Sequence, residues 1–134
     1  MENLNGEGRK RAMINMADAY PPGTVEKLVR KFTLDADANT LAIQDTYEFD
    51  RTPKTLEEAF ITFERATVAD DRQSVRIGPK RGGVTLSAVE TPGVFRADLL
   101  TEESKEGRTG HFITRVAFAP RKLGKQMRLR FHIA

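Results

Sequence analysis

VEKLVRKFTL (residues 25–34) and LAIQDTYEF (residues 41–49) read as the two arms of one β-hairpin, and the way they fit decides the fold. Between them lies Asp35-Ala36-Asp37-Ala38-Asn39-Thr40, a stretch rich in turn formers. Folding the chain back at Asp37-Ala38 sets Leu34 opposite Leu41, Phe32 opposite Ile43, Arg30 opposite Asp45 and Leu28 opposite Tyr47. Period-two geometry then places the apolar residues of these pairs on one face. The lone interruption of that stripe is a pair of opposite charges at matched positions, Arg30 and Asp45. In an apolar setting both lose water, so each needs the other. A guanidinium offers a carboxylate two parallel hydrogen bonds, which a lysine does not. The pair also fixes register, because a slip of one residue would bury unpaired charge.

Strand signals continue outward from this hairpin. Residues 12–15 form a short apolar piece leading to the turn signal Tyr20-Pro21-Pro22-Gly23. Residues 56–68 read as one long strand with apolar side chains on both parities. Phe60 and Val68 lie on one, Ala59, Ile61 and Phe63 on the other. That pattern suits a central strand covered on both faces, or a strand with a bulge. A helix competes over residues 56–66, but Phe60-Ile61-Thr62-Phe63 favours the strand. Short strands then follow over 74–77, 84–89, 94–100, 111–118 and 126–133, separated by Gly/Pro turns and by a polar loop over 101–109. The last alternates without fault: Met127, Leu129, Phe131 and Ile133 face one way, Arg128, Arg130 and His132 the other. The expectation is an all-β fold, an antiparallel β-sandwich of about eight or nine strands. At most one short helix is expected, near Asp18 or Leu56. Residues 1–11, with Gly6, Gly8 and the Arg9-Lys10-Arg11 run, read as a flexible polar segment, and residues 12–134 as a single domain.

Composition narrows the function classes. No apolar run approaches the roughly 20 residues of a membrane-spanning helix, and the opening Met1-Glu2-Asn3 is polar, without signal-peptide character. The absence of Cys excludes disulfides and thiolate metal sites and leaves the compartment open. A net charge of +3 is a mild basic bias that does not single out nucleic acid as a partner. The base is uneven, however. Residues 107–134 contain no acid but carry Arg108, Arg115, Arg121, Lys122, Lys125, Arg128 and Arg130. Acids gather earlier, in Glu57-Glu58, Asp70-Asp71 and Glu102-Glu103. Either these regions pair across neighbouring strands, or the basic one faces an anionic polymer.

Candidate chemistry is sparse. The only histidines, His111 and His132, have no metal-ligand spacing and read as structural. Neither a metal nor a cofactor is expected. Tyr20, ahead of Pro21, reads as a turn anchor, and Tyr47 as a core residue whose hydroxyl finds one partner. Gly78-Pro79-Lys80-Arg81-Gly82-Gly83 lacks phosphate-loop spacing and a following helix, and reads as a hairpin turn bearing two exposed cations. No pair of carboxylates stands out by position. The outward cations Lys27, Lys31, Lys80, Arg81, Arg128 and Arg130, with His132 beside them, are the candidate polyanion-binding set.

Three segments carry a family likeness: Ala17-Asp18-Ala19-Tyr20-Pro21; Arg30-Lys31-Phe32-Thr33-Leu34-Asp35; and Leu41-Ala42-Ile43-Gln44-Asp45 with Tyr47-Glu48-Phe49. In them the chain resembles, over residues 12–134, the carboxyl-terminal β-sandwich region of heparinase II/III-like polysaccharide lyases. That family cleaves acidic polysaccharides by β-elimination at a uronic acid, with catalytic groups mostly on an upstream helical toroid. The resemblance therefore implies a non-catalytic module that packs on a catalytic domain or contacts acidic polysaccharide. The family's sandwich can hold a metal through His and Asp. Its acid falls here on Asn15, Asp18 is out of register, and residues 59–67 carry no His, so the resemblance implies a lost site. The alternative is a standalone structural domain without a carbohydrate role, forming a homo-oligomer through an exposed sheet edge.

Overall fold

The hairpin lies inside the larger of two antiparallel sheets in the computed structural model, which describes residues 2–6, 8–21, 23–100 and 113–134. The strands are β1 (Glu2–Gly6), β2 (Arg9–Asn15), β3 (Lys27–Asp35), β4 (Thr40–Glu48), β5 (Glu58–Thr62), β6 (Ala66–Val68), β7 (Ser74–Ile77), β8 (Val84–Ala88), β9 (Gly93–Leu100), β10 (Ile113–Pro120) and β11 (Gln126–Ile133). The eight-stranded sheet runs β1-β2-β3-β4-β11-β8-β7-β6, and the three-stranded sheet β5-β10-β9. The one helical element among the described residues is a 3-10 turn at Ala17–Ala19. The fold is an all-β sandwich.

β3 and β4 pair Leu34 with Leu41, Phe32 with Ile43, Arg30 with Asp45 and Leu28 with Tyr47, the partners that the apolar alternation requires. Their turn closes on an Asp35 Oδ1 that accepts from the Ala38 amide at 3.1 Å, and Asn39 takes the left-handed conformation at φ 54°. β11 then lies against β4, with Phe131 beside Ile43 and Met127 beside Tyr47. The core forms where the inner faces of the two sheets meet, on Leu28, Ile43, Val75, Leu86, Phe95, Val116, Phe118, Leu129 and Phe131. Phe131 is its hub. Its ring meets Phe60, Phe118 and Phe95 edge-on, with centroids 5.1, 5.3 and 6.3 Å away. Gly93 is required opposite Phe118, because a Cβ there would lie 2.4 Å from that ring and from the Ala119 carbonyl oxygen.

Three segments differ from the sequence reading. Residues 56–68 are two strands, not one. β5 belongs to the small sheet, the chain crosses over at residues 63–65, and β6 joins the edge of the large sheet. β5 is itself an edge strand covered on one face: Glu58 is buried, while Ile61 and the following Phe63 are 60% and 63% exposed. The mixed parity that suggested burial on both faces comes from Ala59, Ile61 and Phe63, which are apolar but exposed, whereas Phe60 and Val68 turn to the core. The second difference is at the start of the chain, where part of the supposed flexible segment is paired: β1 aligns with β2 from Glu2↔Met13 to Gly6↔Arg9. No residue of β2 is fully buried, so this end of the large sheet extends past the small one. Third, no helix forms at Leu56; the short helical turn lies at Asp18. His111 and the polar loop over 101–109 lie outside the described residues.

Phe131→Ala is expected to cost about 3–5 kcal/mol, the usual price of emptying a packed aromatic site. Urea melts read it directly, and a loss below about 1 kcal/mol would mean the rings do not form one core.

Candidate functional site

Two polar constellations follow from this architecture, one sealed between the sheets and one on the open face of the large sheet. The sealed one is built from three strands. β3 supplies Arg30, β4 supplies Asp45 and Tyr47 from adjacent inward positions, and β5 brings Glu58 across from the small sheet. Arg30 Nε donates to Asp45 Oδ1 and Nη2 to Oδ2, both at 2.8 Å, in the bidentate geometry of a guanidinium fork. Nη2 also donates to Glu58 Oε2 at 3.1 Å, and the Tyr47 hydroxyl donates to Glu58 Oε1. The guanidinium rests 5.9 Å from the centre of the Phe32 ring. Asp45 is 0% exposed and Glu58 4%, whereas the Arg30 side chain keeps 22%.

Two buried carboxylates thus share one guanidinium, and such a pair resists ionising together. Burial first, and then the adjoining Asp45, push the Glu58 carboxyl up to about 8, against the opposing pull of the Tyr47 hydroxyl and Arg30. Burial, together with Glu58, raises Tyr47, while the Asp45 hydrogen bond raises Arg30. Among the described residues no buried side-chain nitrogen or oxygen lacks a partner. The cluster therefore spends its bonding capacity on itself and keeps its acidic groups from substrate. Its chemical capacity is to hold a proton between the sheets.

The open face is organised by cross-strand rows. Lys31, Gln44 and Arg130 form one row, and Thr33, Ala42 and His132 the next. The small side chain of Ala42 leaves a hollow of about 280 Å³, walled by Lys31 and Thr33 on one side and by Arg130 and His132 on the other, with Val89 at its edge. Arg130 is held firmly. Its Nε donates to Gln44 Oε1 at 3.1 Å and its Nη1 to Glu90 Oε2 at 3.2 Å. Glu90 is aimed there by the β8–β9 turn, where it adopts φ 50°. Thr91 Oγ1 accepts from the Arg130 amide and donates to the Val89 carbonyl, while the Val89 amide donates to the Arg130 carbonyl.

The structure thus gathers Lys31, Arg130 and His132 from the candidate polyanion-binding set. Lys27 and Arg128 share the face but sit opposite Glu48 and Thr46, away from the hollow. Lys80 and Arg81 are exposed on the β7–β8 turn, which Arg76 holds by donating to the Pro79 and Lys80 carbonyls. Of the late basic segment, Arg115 pairs with Glu57 and Arg130 with Glu90. Glu58 and Gln44 were missed in the sequence. The signal for Glu58 was its parity with Phe60, which points it inward; Gln44 carried no signal beyond facing outward. Asn15 accepts from the Ala17 amide at 3.2 Å, and Asp18 is exposed in the 3-10 turn. No group of three potential His, Asp or Glu metal ligands comes together among the described residues. Nor is any helix among them long and apolar enough to cross a membrane.

Fold and sites together define an all-β sandwich with a sealed ionic cluster and one cation-walled hollow. No protein-family model matches the chain, and no curated protein matches it.

Glu58 has a pKa of about 8 when folded, against a reference value of 4.5. The native state therefore binds the extra proton between those values. Glu58's share of stability is fully present below the lower value and is lost as pH rises through the window, by up to about 1.4 kcal/mol per pH unit. Glu58→Gln, which cannot ionise, should remove that slope; urea melts at about pH 5 and about pH 8.5 compare the two. An unchanged slope would place the proton elsewhere. Arg30→Met leaves two buried carboxylates without a cation and is expected to cost roughly 3–5 kcal/mol. The same melts should show the larger loss at the higher pH.

Proposed function

We propose that this chain is a non-catalytic β-sandwich module, related to the carboxyl-terminal region of heparinase II/III-like lyases, that contacts acidic polysaccharide through the open face of its large sheet. The observation that carries the reading is the hollow walled by Lys31, Arg130 and His132. Cations above an apolar floor match the charge and ring surface of an anionic sugar. The sealed state of Asp45, Glu58 and Tyr47 argues against independent catalysis, because an acid or base must reach its substrate. In the lyases it resembles, such a module also packs on a catalytic domain.

The alternative, a structural domain that self-associates, draws on a different observation. β5 and β9 are edge strands of the small sheet and expose Ile61 and Val94 on its outer face. A molar mass that rises with concentration in light scattering would favour this reading.

The polysaccharide reading is tested by chromatography on immobilised heparin with charge-matched variants. Lys31→Ala with Arg130→Ala should elute at distinctly lower salt than Lys80→Ala with Arg81→Ala, although each removes two cations. Purely nonspecific attraction, screened over about 10 Å at 0.1 M salt, would shift both alike. No retention of the parent protein at low salt would end the proposal.

A further inference from the structure

The row Lys31–Gln44–Arg130 has a property that its charges alone do not convey: it presents donors. Arginine has no acceptor, so its contact with Gln44 requires that the amide turn its oxygen toward Arg130. The amide nitrogen of Gln44, with two N–H groups, is then left for other partners. On the other flank of the same row stands the Lys31 ammonium, with three donors. The guanidinium keeps Nη2 free of any partner among the described residues, while Nε is taken by Gln44 and Nη1 by Glu90. The hollow beside this row has Ala42 at its centre. A ligand resting there meets donors on three consecutive strands.

The charge count sharpens this. Two cations, Lys31 and Arg130, face one carboxylate, Glu90, leaving one positive charge at the row. From this we infer that the Lys31–Gln44–Arg130 row is a subsite for a single oxyanion carried on a sugar ring, a uronate carboxylate or a sulfate ester, with the ring seated over Ala42. The inference rests on the polysaccharide reading and adds to it. Affinity resides in one group on one ring, and Gln44, a neutral residue, is as necessary as the cations. Glu90 works against the ligand, neutralising one edge of the guanidinium.

Gln44→Glu tests this with a minimal change. The new carboxylate still accepts from Arg130, but it turns an acceptor toward the anion and cancels the spare positive charge. Gln44 lies on the open face away from the core, so the fold should be retained. Galacturonate, glucose 6-sulfate and glucose are titrated separately into the full chain, and backbone amide resonances of β4 and β11 are followed. One or both anions should perturb Gln44 and Arg130 in the parent protein, which identifies the oxyanion, and glucose should not. Gln44→Glu should weaken the effect roughly tenfold or more, the scale of one charge-assisted hydrogen bond. Glu90→Gln should strengthen it. Equal response of parent and Gln44→Glu overturns the subsite, as does an equal response to glucose. If heparin retains the parent protein but neither anion perturbs these residues, the subsite falls and the polysaccharide reading stands. If heparin does not retain it, both fall.

Discussion

One guanidinium shared by two buried carboxylates is the constraint around which this sandwich is arranged. Asp45 has no access to water, so β3 must present Arg30 directly across from it, and that sets the register of the central hairpin. The same guanidinium reaches Glu58 on the opposite sheet, and Tyr47 binds that carboxylate from the other side. Glu58 is in this way positioned by polar contacts in the midst of an apolar core. Apolar contacts tolerate sliding, whereas a carboxylate held on one oxygen by Arg30 at 3.1 Å and on the other by the Tyr47 hydroxyl does not. The cluster thus specifies how the sheets sit on one another more strictly than the phenylalanines around Phe131 do.

What was legible in the sequence follows from how local each signal is. The hairpin could be read because turn residues, alternation and a matched charge pair all occur within 25 consecutive residues, 25–49. β7 and β11 were legible for a similar reason: Gly/Pro punctuation or unbroken alternation marks their ends. Residues 56–68 misled because Ala59, Ile61 and Phe63 are apolar yet exposed, while Phe60 on β5 and Ala66 and Val68 on β6 turn to the core on the same parity, so the alternation does not mark the change of sheet. The hairpin of β1 and β2 was missed because Gly6, Gly8 and three consecutive basic residues offer nothing to bury. Its pairing uses backbone groups that every sequence possesses.

The sites divide in the same way. Arg30 and Asp45 could be matched within one hairpin, while Glu58 joins them from another sheet, and no local pattern announces such a partner. On the open face, outward direction was readable for each cation, but proximity was not. Lys31 and Arg130 become neighbours only because β11 lies next to β4. The hollow between them is made by a small residue, Ala42, which in the sequence is an unremarkable position.

The position of β11 has a consequence for how the chain reaches this state. It is the last of the strands, yet it stands in the middle of the large sheet, between β4 and β8. Gln44 and Arg130 touch across 86 positions of chain. β11 is what joins the two halves of the large sheet, β1 to β4 and β6 to β8, so without it the inner edges of β4 and β8 have no strand to pair with. Unpaired edges of this kind are templates for pairing with other molecules. Such distant closure also slows folding. On a ribosome the emerging chain would carry these unpaired edges until β11 had cleared the exit, and cellular quality control would encounter it in that open form.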